Sequence, residues 1–391
     1  MASAGPLSGV TVLDLTRVLA GPYATMMLCD LGARVIKVEP PGSGDDSRQF
    51  GPYVQGRPVY FGSVNRGKES IVLDLKDSID RDLFERLLHT ADVLTENYRP
   101  GVMDKLGYGW EWLHARHPRL IFASTSGFGQ YGPARDLPSY DMVIQAMSGM
   151  MSVTGPEAGE PCRVGVSIAD VAAGVFTATA INAALFERTR TGVGARIDIA
   201  MYDCLLAMME SVITRYLNTG EVVLRNGSRH PGIMPFEAFE TADDQIVIAC
   251  GNDRMFSRLC KALDREELIE NPLFVSNVLR VEHRPALAAE INGVLRRKSA
   301  RYWLAHLEAE GVPAGPINDI ANALAHPQVA ARNMLAMVDD PVLGTVRITG
   351  TPLKFSTRED PTRFRVAPDL DQDRARILAE LDEIPTAQAR S

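Results

Sequence analysis

A carboxylate at the head of a run of small residues is the first place where this sequence could do chemistry. Gly165-Val166-Ser167-Ile168-Ala169-Asp170 leads into Val171–Phe186, the longest stretch without a charged side chain. Ser167-x-x-Asp170 is close to a capping box, with Asp at the N3 place usually held by Glu or Gln. A first-turn carboxylate also gains from the helix dipole. The same setting suits a nucleophile, because an ionised carboxylate need not be strongly basic to attack a thioester. Residue types and spacing leave both readings open.

Seven cations, Arg17, Lys37, Arg66, Lys68, Lys76, Arg99 and Lys105, fall at the ends of expected strands or in the loops that follow. Ligands of an open α/β sheet bind beyond the carboxyl ends of its strands, so some of these would suit an extended, phosphorylated ligand. Solvated surface is the alternative for any one of them. Gly127-Phe128-Gly129-Gln130-Tyr131-Gly132 fits the GxGxxG pattern, but Pro133 and Pro138 follow where a helix would have to open on a pyrophosphate. An extended loop is expected there, and the first strand–helix turn, Thr16 to Pro22, lacks the fingerprint altogether. No GxSxG elbow and no GxxxxGK[ST] loop occurs, which argues against a serine hydrolase and an ATP site. Five scattered cysteines (Cys29, Cys162, Cys204, Cys250, Cys260) read as buried thiols in a reducing compartment. Seven histidines form no HxxxH or HxH cluster, so no metal site is expected.

These residues need elements to hold them. Val10–Leu15 reads as a strand, and Ala20-Gly21-Pro22 opens a helix to about Leu31, Pro22 sitting where its missing N–H costs nothing. Arg34–Val38, Ser70–Leu73, Asp92–Thr95 and Leu120–Ser124 read as further strands, separated by helical patterns at Arg81–Ala91 and Val102–Arg116. Such alternation predicts a mostly parallel sheet covered on both faces. A helix from about Ser167 to Arg188, a strand at Arg196–Ile199 and a helix over Tyr202–Leu217 follow. Pro235–Thr241 and Gln245–Cys250 form an expected hairpin, then helices dominate from Asp253 to about Arg332. Short strands return between Met337 and Phe355, before an acidic helix near Asp369–Leu381. The expected fold class is α/β: a large Rossmann-like open-sheet domain over residues 1–220, a smaller α+β domain over 221–325, and a return to the first over 326–391.

Bulk properties set outer bounds. The 391 residues are 46% hydrophobic and 23% charged, an ordinary globular balance. A formal net charge of −8 argues against a general nucleic-acid partner. Val171–Phe186 is shorter than the roughly 20 residues a membrane span needs, so no membrane association is expected. Met1–Val10 has no basic stretch followed by an apolar core, so the expected location is cytoplasmic.

Seven ordered segments resemble the class III CoA-transferase family, which includes formyl-CoA and carnitine CoA-transferases and shares its fold with the α-methylacyl-CoA racemases. They are Val12–Pro22, Val35–Gly42, Asn65–Lys76, Glu96–Gly101, Ser126–Gly129, Tyr140–Gly149 and Gly165–Gly174. The likeness is dense from about residue 8 to 205 and looser afterwards. It implies an interlocked homodimer with acyl-CoA and a small carboxylic acid as substrates, no prosthetic group, and Asp170 as the covalent nucleophile. By motif position, CoA contacts would fall on Arg17, Val18, Leu19, Ala20, Pro40, Leu73, Asp74, Leu75, Lys76, Asn97, Tyr98, Arg99, Lys105, Ser139, Tyr140 and Asp141. Formyl-CoA transferase has Gln where this chain has Leu19, and a glycine run that is absent here. Oxalate and formate are therefore not expected; a C4 to C6 dicarboxylate with succinyl-CoA as donor is, and Arg229 and His230 could meet its second carboxylate. The alternative is a racemase-type isomerase. Racemases, however, place a His beside the Asp where this chain has Tyr140-Asp141, and an unperturbed phenol near pKa ~10 shuttles protons poorly at neutral pH.

Overall fold

Val- and Ile-rich runs, too short for helices and too apolar for a solvated face, assemble in the computed structural model, which describes residues 5–383, as one six-stranded sheet. Its order is Glu69–Val72, Arg34–Glu39, Thr11–Asp14, Val93–Glu96, Ile121–Ser126, Arg196–Ala200, and every pairing is parallel. A parallel sheet must be covered on both faces, and this one is. One face packs on Leu83, Phe84, Leu87, Tyr108 and Leu113; the other meets Ala24, Leu28, Ala178, Ile181 and Leu185. The strand order reverses between Thr11–Asp14 and Val93–Glu96, so a crevice opens at their carboxyl ends.

Two helices line that crevice side of the second face, Ala20–Asp30 and Ile168–Thr191. They can approach because small residues meet: a Cβ on Gly174 would lie 2.8 Å from the Ala20 carbonyl oxygen. Ile168–Thr191 is long and apolar enough to cross a membrane by length and composition. The uncharged run ends at Phe186, but the helix continues through Glu187, Arg188 and Arg190. Its small-residue stripe, Ala169, Ala172, Ala173, Gly174, Thr177 and Ala178, is buried within the protein.

The chain divides into two units. The first comprises residues up to Met151, Arg163–Val222 and those from Pro327 onward; the second comprises Ser152–Cys162 and Val223–His326. The return after Pro327 completes the first unit. Leu335–Asp340 pairs antiparallel with Gly344–Thr349 and parallel with Arg363–Phe364. Asp371 and Asp373 then accept the N–H groups of Val72 and Ser70 at 2.7 and 2.9 Å, so carboxylates satisfy the exposed edge of the main sheet. The helix that follows, Arg374–Glu383, buries Ile377 and Leu381 in the sheet's core. In the second unit, the hairpin Phe236–Glu240/Gln245–Ala249 gains a third strand, Ala314–Pro316, inside the region expected to be helical. Phe239, Ile246, Phe256, Leu259, Leu287 and Trp303 form its core.

Several boundaries differ from expectation for local reasons. Val102–Arg116 is broken into Val102–Lys105 and Trp110–Arg116 because Gly107 takes a left-handed φ of +88°, which ends the first turn. Tyr202–Leu217 is divided near Met209 into Met201–Met208 and Glu210–Thr219. The final helix begins at Arg374, not Asp369, since Asp371 and Asp373 are turned to the sheet edge. Among the cysteines, Cys162 is exposed and Cys29 half-buried, so only Cys204, Cys250 and Cys260 fit the buried-thiol expectation.

Candidate active site

At the reversal of strand order, the turn after Thr11–Asp14 and the turn after Val93–Glu96 tie themselves together. The Arg17 N–H donates to Asn97 Oδ1, and Asn97 Nδ2 donates back to the Arg17 carbonyl, both at 2.8 Å. A cavity of about 300 Å³ opens there. It is lined by Arg17–Ala20 from the first turn, Asn97–Pro100 from the second, Thr125–Gly127 from the tip of the fifth strand, Arg135 and Leu137–Tyr140 from the following loop, and Asp170 and Met201 from two helix starts. Gly127 is required for this closure, because a Cβ there would lie 1.9 Å from the Ser139 hydroxyl. The GxGxxG segment is the extended loop its prolines implied, ending where the helix Asp141–Met147 begins.

Beneath the first turn lies a buried ionic network. Lys68 donates to Asp14 at 3.0 Å and to Asn65 Oδ1 at 2.8 Å; Lys37 pairs with Asp45 at 2.8 Å, and all four charged groups are fully buried. Burial alone would raise the Asp14 pKa, but the Lys68 and Lys37 ammonium groups, helped by the Thr16 and Thr25 hydroxyls, hold it far below the usual carboxylate range. For Lys68 burial outweighs the attraction of Asp14 and pulls the ammonium down to about 8. Arg66 is likewise buried against Asp30 at 2.6 Å. Lys37, Lys68 and Arg66 are therefore internal struts, not the ligand-facing cations their positions suggested. The cations that line the cavity are Arg17, Arg99 and Arg135.

Asp170 sits half-buried in the first turn of its helix, facing this cavity. It is not a cap, and neither is Ser167, which makes no side-chain cap hydrogen bond. Asp141 does that work from 28 residues away: its Oδ1 accepts the Ala169 N–H at 2.8 Å and its Oδ2 accepts from Gln145 at 2.7 Å. The Asp170 carboxylate accepts no hydrogen bond among the described residues. Burial, with the Asp141 charge as a second cause, pushes its pKa up to about 7. Desolvation and a like charge thus outweigh the helix dipole at this carboxyl. At the end of the neighbouring strand Glu96 is also pushed to about 7 by burial, although it accepts the Tyr98 N–H at 2.7 Å.

The cavity brings together Arg17, Val18, Leu19, Ala20, Asn97, Tyr98, Arg99, Ser139, Tyr140 and Asp170. It does not include Pro40, Leu73, Asp74, Leu75, Lys76, Lys105 or Asp141. Pro40 and Leu73–Lys76 follow the two neighbouring strands on the same edge of the sheet; the Leu73 and Leu75 side chains belong to the core. Asp141 is buried, its carboxylate committed to Ala169 and Gln145. Thr125, Arg135, Met201 and the supporting Asp45 were missed. So was Tyr60, whose phenol is raised by burial and then by the charges of Asp170, Asp45 and Asp141. Only contacts across the fold reveal these residues. In the second unit, Arg229 is paired with Glu157, and His230 Nδ1 accepts the Gly232 N–H at 3.1 Å.

A family model described as CoA-transferase family III matches residues 7–374. An acetyl-CoA:oxalate CoA-transferase from Acetobacter aceti is 48% identical over 377 residues, covering 96% of either chain. The human succinyl-CoA:glutarate CoA-transferase is 40% identical over 96% of this chain and 86% of its own. Among solved structures, a CaiB/BaiF family protein from Brucella suis superposes with a TM-score of 0.84 at 40% identity, covering 97% of this chain and 100% of that one.

Proposed function

This chain belongs to CoA-transferase family III, and on that premise we propose that it moves CoA from a donor acyl-CoA to a free carboxylic acid through covalent intermediates on Asp170. The observation that carries the route is a carboxylate uncommitted to the fold: Asp170 faces the switch-point cavity and accepts no hydrogen bond among the described residues. Its carboxylate attacks the donor thioester, CoA thiolate leaves, and a mixed anhydride forms. The thiolate then attacks the aspartyl carbonyl, expels the donor acid and leaves an aspartyl-CoA thioester. The acceptor carboxylate attacks that thioester and again frees the thiolate. The thiolate finally takes the acceptor's acyl carbon, giving the new acyl-CoA and restoring Asp170. One thioester is broken and one is made, so the cycle needs no ATP. Burial and the Asp141 charge disfavour the ionised carboxylate, and forming each acyl-aspartate removes that charge.

CoA would lie along the carboxyl edge of the sheet, its thioester at Asp170 and its nucleotide toward Pro40, Leu73–Lys76 and Lys105. Relatives named for oxalate and glutarate frame the acceptor. The acetyl-CoA:oxalate relative removes the ground for setting oxalate aside, so oxalate joins the C4 to C6 dicarboxylates, with succinyl-CoA and acetyl-CoA as donors. A racemase reading gains nothing from the geometry, because Asp141 is tied to Ala169 and Gln145 and Tyr140 is 76% exposed. Met142, Val143, Met147, Val175, Phe176 and Leu217 are exposed apolar residues of the first unit, which supports a homodimer, interlocked as in the family.

The test is to incubate the protein with either donor and a panel of acids, reading products by mass spectrometry, and to add hydroxylamine during turnover. A hydroxamate on the peptide containing Asp170 is expected, and borohydride should reduce the thioester there to an alcohol. An adduct on Asp141 or Glu39 would relocate the site. No adduct, with Asp170→Asn still active, would end the covalent route.

A further inference from the structure

Val18 is in the wrong part of conformational space for its side chain. Its φ is +68°, the left-handed region, where a β-branched residue is a genuine outlier and persists only if its surroundings impose it. Valine is also a cavity-lining residue, between Arg17 and Leu19. Four backbone groups of this turn are held by side chains from elsewhere. Lys37 donates to the Thr16 carbonyl at 2.7 Å, and Asn97 grips both the N–H and the carbonyl of Arg17. The Val18 N–H donates to Asp45 Oδ1 at 3.0 Å.

Asp45 is itself over-determined. Its Oδ1 accepts from the Ser47 N–H and hydroxyl, both at 2.8 Å, its Oδ2 meets Lys37 at 2.8 Å, and its own N–H donates to Glu39 Oε2 at 3.0 Å. Lys37 therefore reaches the turn twice, once directly at Thr16 and once through Asp45. The arrangement makes sense as a way to present one backbone conformation to the cavity.

We propose that Asp45 is a positioning residue of the transferase site, which with Lys37 clamps Val18 in its left-handed conformation so that the turn Arg17–Ala20 is preset to receive acyl-CoA. The inference rests on the transferase reading above for the identity of the ligand. Without the clamp, the turn relaxes in the free protein and acyl-CoA binding must restore the strained form. The loss then falls on affinity and not on the chemical steps at Asp170.

The test measures Asp45→Asn and the double variant Val18→Gly/Asp45→Asn against the wild type. Asp45→Asn keeps Oδ1 as an acceptor for Ser47 and for the Val18 N–H but turns an amide toward the Lys37 ammonium, so the Lys37 anchor of the clamp is lost. It should raise KM for acyl-CoA about tenfold, the order expected for one strained residue, with kcat within about threefold of wild type. The dissociation constant of free CoA, read by calorimetry, should weaken in parallel. Glycine adopts φ near +68° without a Cβ penalty, so adding Val18→Gly should recover most of the lost CoA affinity. A merely structural Asp45 would lower the melting temperature and the active fraction while leaving KM and CoA affinity unchanged, and glycine would rescue neither; that result overturns the proposal. If Asp45→Asn alone does not fold, Lys37→Met/Asp45→Asn, which removes both buried charges together, takes its place with the same expectations. A wild-type chain that binds CoA but transfers none would sink the transferase route, while the CoA affinities of the variants would still decide the clamp.

Discussion

Asp170→Asn should make the protein more stable at pH 8, and the sign of that change separates a desolvated carboxylate from one that stabilises its helix. Folding raises the Asp170 carboxyl from 3.8 to about 7, with burial the larger cause and the Asp141 charge the smaller. Between those two values the folded chain binds a proton that the unfolded chain has released. Stability from this group is therefore undiminished below about pH 4 and falls as pH rises through 7. A gap of this size corresponds to about 2–4 kcal/mol of stability lost at pH 8. Asparagine is nearly isosteric and never ionises, so it escapes that loss. In urea titrations, Asp170→Asn and wild type should unfold at nearly the same midpoint at about pH 3, where the carboxyl is protonated in both states. At pH 8 the variant should be the more stable by about 2–4 kcal/mol, while transfer activity is abolished at both. If Asp170 instead served its helix as a charge at the positive end of the dipole, the variant would be the less stable at pH 8 by roughly 0.3–1 kcal/mol. That opposite sign would refute the argument from desolvation and leave Asp170 an ordinary first-turn residue.

The same ionisation governs rate: kcat/KM for acyl-CoA should rise about tenfold between pH 6 and a plateau above pH 8, because only the ionised carboxylate attacks; a flat profile across that range would contradict it. Leu19 is buried beside the cavity, and Leu19→Gln should lower use of the preferred acid while CoA affinity stays near wild type; equal losses for every acid and for CoA would make the position structural. Sedimentation should give a dimer that persists on dilution to nanomolar concentration, since threaded chains cannot part without unfolding; a concentration-dependent monomer would defeat that arrangement.

Much of this protein is legible before any coordinates. Alternating β-branched runs and helical patterns specify a parallel sheet, because only helices on both faces can bury such strands. Seven ordered segments point to the family, and Pro133 and Pro138 already separate the Gly127–Gly132 loop from a dinucleotide fingerprint. What the sequence could not supply were pairings between distant positions. Lys68 reads as a surface cation until the fold sets it 3.0 Å from Asp14, 54 residues earlier, and Lys37 until Asp45 and the Thr16 carbonyl enclose it. Ser167 and Asp170 spell a near capping box, yet the Ala169 N–H goes to Asp141. Local spacing determined which side chains start a helix or end a strand, since those interactions span a few residues. Whether a charge is a strut, a cap or a reagent depends on burial and on partners tens of residues away, and only the packed sheet and its crevice decided that.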